Sequence, residues 1–188
     1  RQKGFDKFLE VYRATHPDDD VQIIDVFHDD VPEIDDDMMT GWAQLQSGIA
    51  FTDLSTAAQA KITRFNELTE QFMAADKIVL ANPLWNLMIP TKVKAWIDTT
   101  VITGKTLKYT ATGAVGLVSG KKLLHIQANG GIYEGNDPAS RYVKDIFNFI
   151  GLTDFESVYV EGQAYAPQNA DVILNDALVK IENIAKTF

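Results

Sequence analysis

Two short stretches hold the residue types that could do chemistry: Asn82-Pro83-Leu84-Trp85-Asn86-Leu87-Met88-Ile89 and Ala128-Asn129-Gly130-Gly131-Ile132-Tyr133. The first carries five apolar side chains, Leu84, Trp85, Leu87, Met88 and Ile89, through a Pro-flanked loop. Loops normally run over the surface and are polar, so an apolar one must be covered by something. The second puts Asn-Gly-Gly at a strand's end, where positive φ is allowed and no side chain obstructs a flat ligand. The N–H groups of such a turn can donate to a carbonyl or to a developing anion. Singly, each has an ordinary explanation, a turn for Asn-Gly and a surface plug for Trp85. As a pair at one edge of a sheet, they suit a planar ring with an apolar face and a carbonyl-bearing edge. Isoalloxazine is such a ring, and a nucleotide or another small aromatic also fits. A redox ring brings its own chemistry, so no catalytic acid, base or nucleophile is assigned.

The elements that must position these loops can be read from periodicity. Ile78-Val79-Leu80-Ala81 has no polar alternation, as expected of a parallel strand covered on both faces. Pro90 or Thr91 opens a helix, and Val93, Trp96, Ile97 and Val101 extend it to about Ile102. The other expected helices are Gly4 to Ala14, Met38 to Ser47, Ser55 to Ala74, Pro138 to Ile150 and Asn169 to Lys186. Strands are predicted over Val21 to Phe27, Lys77 to Ala81, Lys122 to Ala128 and Ser157 to Glu161. A small hairpin is expected with arms Lys105 to Tyr109 and Val115 to Val118. Alternating strands and helices imply right-handed crossovers and a doubly wound parallel sheet, three layers α/β/α, with ligand loops at the strands' carboxyl ends.

The first helix has Phe5, Phe8, Leu9 and Tyr12 at helical spacing but no capping residue ahead of it. A strand and its loop are therefore expected before residue 1, completing a single flavodoxin-like domain over 1–188.

Composition narrows the function. The chain has 188 residues, a formal charge of −9 and 46% apolar residues. Acidity without a long basic run argues against nucleic acid. No apolar stretch approaches the roughly 20 residues needed to span a bilayer, so no membrane partner is expected. Zero Cys excludes disulfides, thiolate catalysis and Cys-ligated metal. His16, His28 and His125 lack the pairing of a metal site, and Asp18 to Asp20 and Asp35 to Asp37 lack calcium-loop spacing. Turn and helix-cap duty is the expectation for the acidic triplets, and no metal is expected. Without a secretory leader, the cytoplasm is the expected compartment.

At the two loops the chain resembles the FMN-dependent NADH-azoreductases, also called NADH:quinone oxidoreductases. The matching residues are Asn82 to Leu87 with Pro90 to Asp98, and Asn129 to Tyr133. Phe147 to Gly151 and Glu161-Gly162 also match. The resemblance implies a flavodoxin-like fold, noncovalent FMN, NADH as electron donor, and quinones or azo dyes as acceptors. It further implies a homodimer with FMN at the dimer interface. By position, Pro83, Leu84, Trp85, Asn86 and Leu87 would lie along the flavin ring near its N5 and O4 edge. Ala128, Asn129, Gly130 and Gly131 would serve the N1 and O2 edge. Tyr133 stands where some relatives carry a His. Leu87, Trp85 and Tyr133 are candidates for touching a second stacked occupant in a two-step ping-pong cycle. The family's Ser-rich phosphate turn would precede Arg1, with Arg1 and Gln2 as remnants, so the chain from Arg1 is expected to bind FMN poorly or not at all. Two other classes compete: a flavodoxin-type electron carrier, and a flavin-free interaction domain. NADH oxidation with FMN and a quinone separates the enzyme from the carrier. Flavin absorbance after purification of the full-length protein excludes the interaction domain.

Overall fold

The structure is a computed structural model, and it describes residues 2–188. Three parallel strands form its centre in the order β1 (Lys77–Pro83), β4 (Lys122–Ala128) and β5 (Asp154–Val160). An antiparallel hairpin, β2 (Leu107–Thr110) and β3 (Gly113–Gly116), stands apart. The hairpin is held because the Val118 N–H donates to the Ile150 carbonyl at 2.9 Å. Gly116 and Gly151 allow that approach. A Cβ on Gly116 would stand 2.3 Å from the Gly151 nitrogen, and Gly151 itself has φ +102°.

The α-helices of the described residues are α1 (Gln2–Thr15), α2 (Asp36–Gln46), α3 (Thr56–Ala74), α4 (Thr91–Asp98), α5 (Pro138–Phe149) and α6 (Ala170–Thr187). Strand side chains alternate between faces, and this alternation splits the core in two. Ile78, Leu80 and Leu123 pack with Phe72, Trp96, Val143 and Phe147 from α3, α4 and α5. Leu124, Ile126, Val158 and Val160 pack with Phe8, Tyr12, Ala177 and Ile181 from α1 and α6. A third, smaller cluster joins Met38 of α2 to Ala58, Ile62 and Phe65 of α3. Asp35 caps α2 by accepting the Met38 N–H at 3.1 Å, and with Asp37 it pairs with Lys61 of α3.

Two expectations are corrected. Val21 to Phe27 is not a strand; its first residues run without regular structure and its end is a turn. The apolar pattern is that of a strand, but a strand exists only where a neighbouring edge takes its hydrogen bonds. Second, α4 stops at Asp98 rather than near Ile102. The Thr99 hydroxyl donates to the Trp96 carbonyl and the Thr100 hydroxyl to the Ile97 carbonyl, each at 2.7 Å. These hydroxyls satisfy the carbonyls that a further turn of helix would have used. The hairpin arms are shifted by up to two residues from their expected limits, and β5 begins three residues earlier than Ser157.

The free edge of β1 follows from its hydrogen bonding. The Leu84 N–H donates to Ala128 O, and the Lys122 N–H donates to Asp76 O. The even-numbered residues of β1 therefore face β4, and Lys77, Val79 and Ala81 turn their N–H and C=O groups the other way. That edge borders a groove of about 860 Å³, bounded opposite by Val21 to Phe27 and floored by residues of α1.

Candidate functional site

The first loop is a tight hairpin turn. Trp85 and Met88 exchange both backbone hydrogen bonds at 2.9 Å, leaving Asn86 and Leu87 at its tip. Both tip residues have positive φ, 51° and 64°. This is the type I′ pattern, which Asn accepts readily and Leu does not. A bulky Leu held there, though not β-branched, costs on the order of 1–2 kcal/mol, and such strain tends to persist at functional positions. The turn displays Trp85 and Leu87, about half exposed at 54% and 48%. Leu84 is partly buried against the core, and Phe27 stacks obliquely on Trp85 at 6.0 Å between ring centroids.

The second loop leaves β4 beside it. The Leu84 N–H to Ala128 O bond, 2.9 Å, joins the two loops at their roots, and Pro83 pairs in register with Ala128. Trp85 and Gly130 therefore rise from the same edge of the sheet. Asn129 is buried: its N–H donates to Val160 O, and its side chain is held between Gln127 and Glu161. Gly130 and Gly131 follow, with Tyr133 partly buried beside Gly131. The N–H groups of Asn86, Leu87, Gly130 and Gly131 have no acceptor among the described residues. Four unclaimed donors around an apolar turn match a flat ring with carbonyl and imine acceptors on its edge, so the residues present fit a flavin ring. Of the expected phosphate remnants, Arg1 lies outside the described residues.

Beneath the loops lies a buried polar chain that sequence reasoning did not single out. His125 Nε2 meets Asn82 Oδ1 at 2.8 Å, and Asn82 Nδ2 donates to Pro83 O and to Gln127 Oε1. Because the Asn82 amide nitrogen is committed to a carbonyl, its oxygen is the acceptor and His125 carries its proton on Nε2. The other ring nitrogen, Nδ1, has no partner among the described residues. Burial pushes the His125 pKa down to about 4, so the ring is neutral at physiological pH. Gln127 Nε2 in turn reaches Asn129 Oδ1, the Asp137 carboxylate and Ser140 Oγ. Burial alone would raise the Asp137 pKa. Hydrogen bonds from the Ser140 hydroxyl and N–H and from Gln127 outweigh it and hold the carboxyl below its ordinary value. Asp137 is thus an ionised N-cap for α5, and it fixes where the second loop ends.

A third loop completes the edge. After β5, residues 161–166 fold back so that the Gly162 N–H donates to Gly131 O and the Ala164 N–H to Gly130 O. Tyr165 stands fully outward, 73% exposed, next to Gly131. The only sequence signal for this loop was the Glu161-Gly162 match.

Comparison with known proteins decides the family. A family profile described as "Flavodoxin-like fold" matches residues 2–184. An FMN-dependent NADH:quinone oxidoreductase of Streptococcus suis is 42% identical over 186 residues, covering 99% of this chain and 90% of the relative. The chain belongs to this family. The Geobacillus kaustophilus member is 44% identical, covering 96% of this chain and 88% of its own. Among solved structures, an FMN-dependent NADH-azoreductase from Bacillus anthracis in complex with FMN superposes with a TM-score of 0.90. It is 33% identical, over 97% of this chain and 88% of that one. The family's flavodoxin-like fold is the one described above, a parallel sheet between helical layers.

Proposed function

We propose that this chain is an FMN-dependent oxidoreductase that passes electrons from NADH through bound FMN to quinones or azo compounds. One observation carries the reading: the 2.9 Å bond from Leu84 N–H to Ala128 O joins an apolar turn to a glycine edge, with four N–H donors unclaimed. The named activities of the relatives support it. Noncovalent FMN, when bound, supplies the hydride and electron chemistry. The chain's own residues bind and orient. Pro83, Leu84, Trp85, Asn86 and Leu87 form the wall along the ring. Ala128, Asn129, Gly130 and Gly131 form the amide edge, with Tyr133 beside it. Unclaimed N–H groups favour negative charge on the ring edge, and Trp85 and Leu87 offer apolar surface that excludes water from a stacked partner. No side chain is required to move a proton.

A single slot implies alternate occupancy, so the cycle is ping-pong: NADH leaves before the acceptor stacks. Exposed Trp85, Leu87, Ile132, Tyr109 and Phe149 make a second copy of the chain the natural cover, with the flavin at the dimer interface. Among the described residues no helix is long and apolar enough to cross a membrane, and the working compartment is read as the cytoplasm. The groove along β1 is read as the seat of one further parallel strand in a single flavodoxin-like domain. The outward N–H and C=O groups of Lys77, Val79 and Ala81, and the groove that separates them from Val21 to Phe27, support that reading.

The test is NADH oxidation by the purified protein with FMN and a benzoquinone. FMN-dependent turnover with parallel initial-rate lines is expected. Absence of FMN-dependent turnover refutes the activity, and intersecting lines refute the ping-pong order.

A further inference from the structure

The flavin edge is built by residues remote from it in sequence. Gly130 and Gly131 have their carbonyls, not their N–H groups, tied to the third loop: Ala164 N–H to Gly130 O at 3.0 Å and Gly162 N–H to Gly131 O at 3.2 Å. In a trans peptide the C=O of one residue and the N–H of the next point in opposite directions. Anchoring the Gly130 carbonyl therefore aims the Gly131 N–H away from the third loop, and anchoring the Gly131 carbonyl does the same for Ile132. The Ile132 N–H, too, has no acceptor among the described residues.

One side chain holds both ends of this arrangement. Glu161 Oε1 accepts from Asn129 Nδ2 at 2.6 Å, just before the glycines. Beyond them, the same oxygen accepts the N–H of Tyr133 at 3.3 Å and of Glu134 at 3.2 Å, and Oε2 accepts the Glu134 N–H at 3.1 Å. An independent sign of tension lies at Glu134, a non-glycine residue with φ 51°. Such a conformation persists only where the surroundings over-determine it, and here a carboxylate takes its N–H through both oxygens. Hydrogen bonds to a charged acceptor are the stronger kind.

We infer that Glu161 is a positioning residue for the flavin: its carboxylate clamps Asn129 and the Tyr133–Glu134 segment, and so aims the N–H groups of Gly131 and Ile132 at the ring edge. The inference rests on the proposed flavin site and adds Ile132 to its donors. Glu161 acts through the backbone and does not touch the ring.

The experiment measures dissociation constants for FMN and for lumiflavin, which has the ring without the ribityl phosphate, by flavin fluorescence. Hydrogen exchange of the Asn129–Asp137 peptide is followed in parallel. Glu161→Ala is expected to weaken both ligands to a similar degree, about tenfold or more, and to speed exchange at Tyr133 and Glu134. Glu161→Gln keeps one acceptor oxygen and the shape, so it should recover part of the loss, and it carries the test if the alanine variant does not fold. Lys121→Ala, which removes a helix-end contact away from the site, should leave ring affinity within about twofold. Equal weakening by Glu161→Ala and Lys121→Ala would reduce Glu161 to a structural role and overturn the inference. So would Glu161→Ala leaving lumiflavin affinity unchanged while Trp85→Ala lowers it. If Trp85→Ala and Glu161→Ala both leave it unchanged, the flavin site itself is wrong.

Discussion

His125 makes the buried polar chain sensitive to acid. Its ring lies fully buried between β1 and β5, donates from Nε2 to Asn82 and has a bare Nδ1. Burial strips water from the charged ring and drives the pKa from 6.5 to about 4 against the attraction of Asp137, and a second N–H would find no acceptor among the described residues. Below 6.5 the unfolded chain takes up a proton that the folded chain refuses, so stability falls as pH drops through the window from about 6.5 to about 4. The full difference, about 2.5 units at 1.36 kcal/mol each, is roughly 3 kcal/mol. Between pH 7 and pH 5 the share lost is about 2 kcal/mol, or about 4–8 °C in Tm for a chain of this length. The assay is urea unfolding of wild type and His125→Gln at both pH values, followed by circular dichroism. The carboxylates titrate alike in both proteins, so the difference between them isolates the imidazole. Wild type should lose about 2 kcal/mol more than His125→Gln on acidification; equal losses would refute the neutral buried His.

Two further predictions concern the scaffold. Lys121 donates to the Met73 and Ala75 carbonyls at the end of α3, so Lys121→Ala should cost about 1 kcal/mol, read by urea unfolding, with flavin affinity kept. Gly151→Ala places a Cβ 2.6 Å from Val118 O at φ +102°, and should destabilise by more than about 2 kcal/mol or prevent soluble expression.

What the sequence could reveal depended on the range of the forces involved. Helices α3 and α5 announce themselves locally, through Ser55 and Asp137 as caps and a regular apolar stripe. Strands β1 and β4 are legible because apolar runs between turn residues have few other fates. Val21 to Phe27 looks the same by composition yet forms no strand, because pairing belongs to the neighbouring edge and not to the segment itself. The end of α4 is hidden in the sequence because the hydroxyls of Thr99 and Thr100 compete with the helix, which an apolar stripe running through Val101 conceals. Both the apolar turn and the glycine-rich connection are legible as loops from residue type alone. The role of Glu161 is not, because 32 positions separate it from Asn129 and only the fold brings them together.

The central claim is that a flavin ring lies between the Trp85–Leu87 turn and the Gly130–Ile132 edge. Its most direct test is an amide-resolved NMR titration of the isotopically labelled protein with FMN. The account predicts that the N–H signals of Asn86, Leu87, Gly130, Gly131 and Ile132 shift together as FMN saturates the protein. Saturable FMN binding that leaves those five signals in place would contradict it.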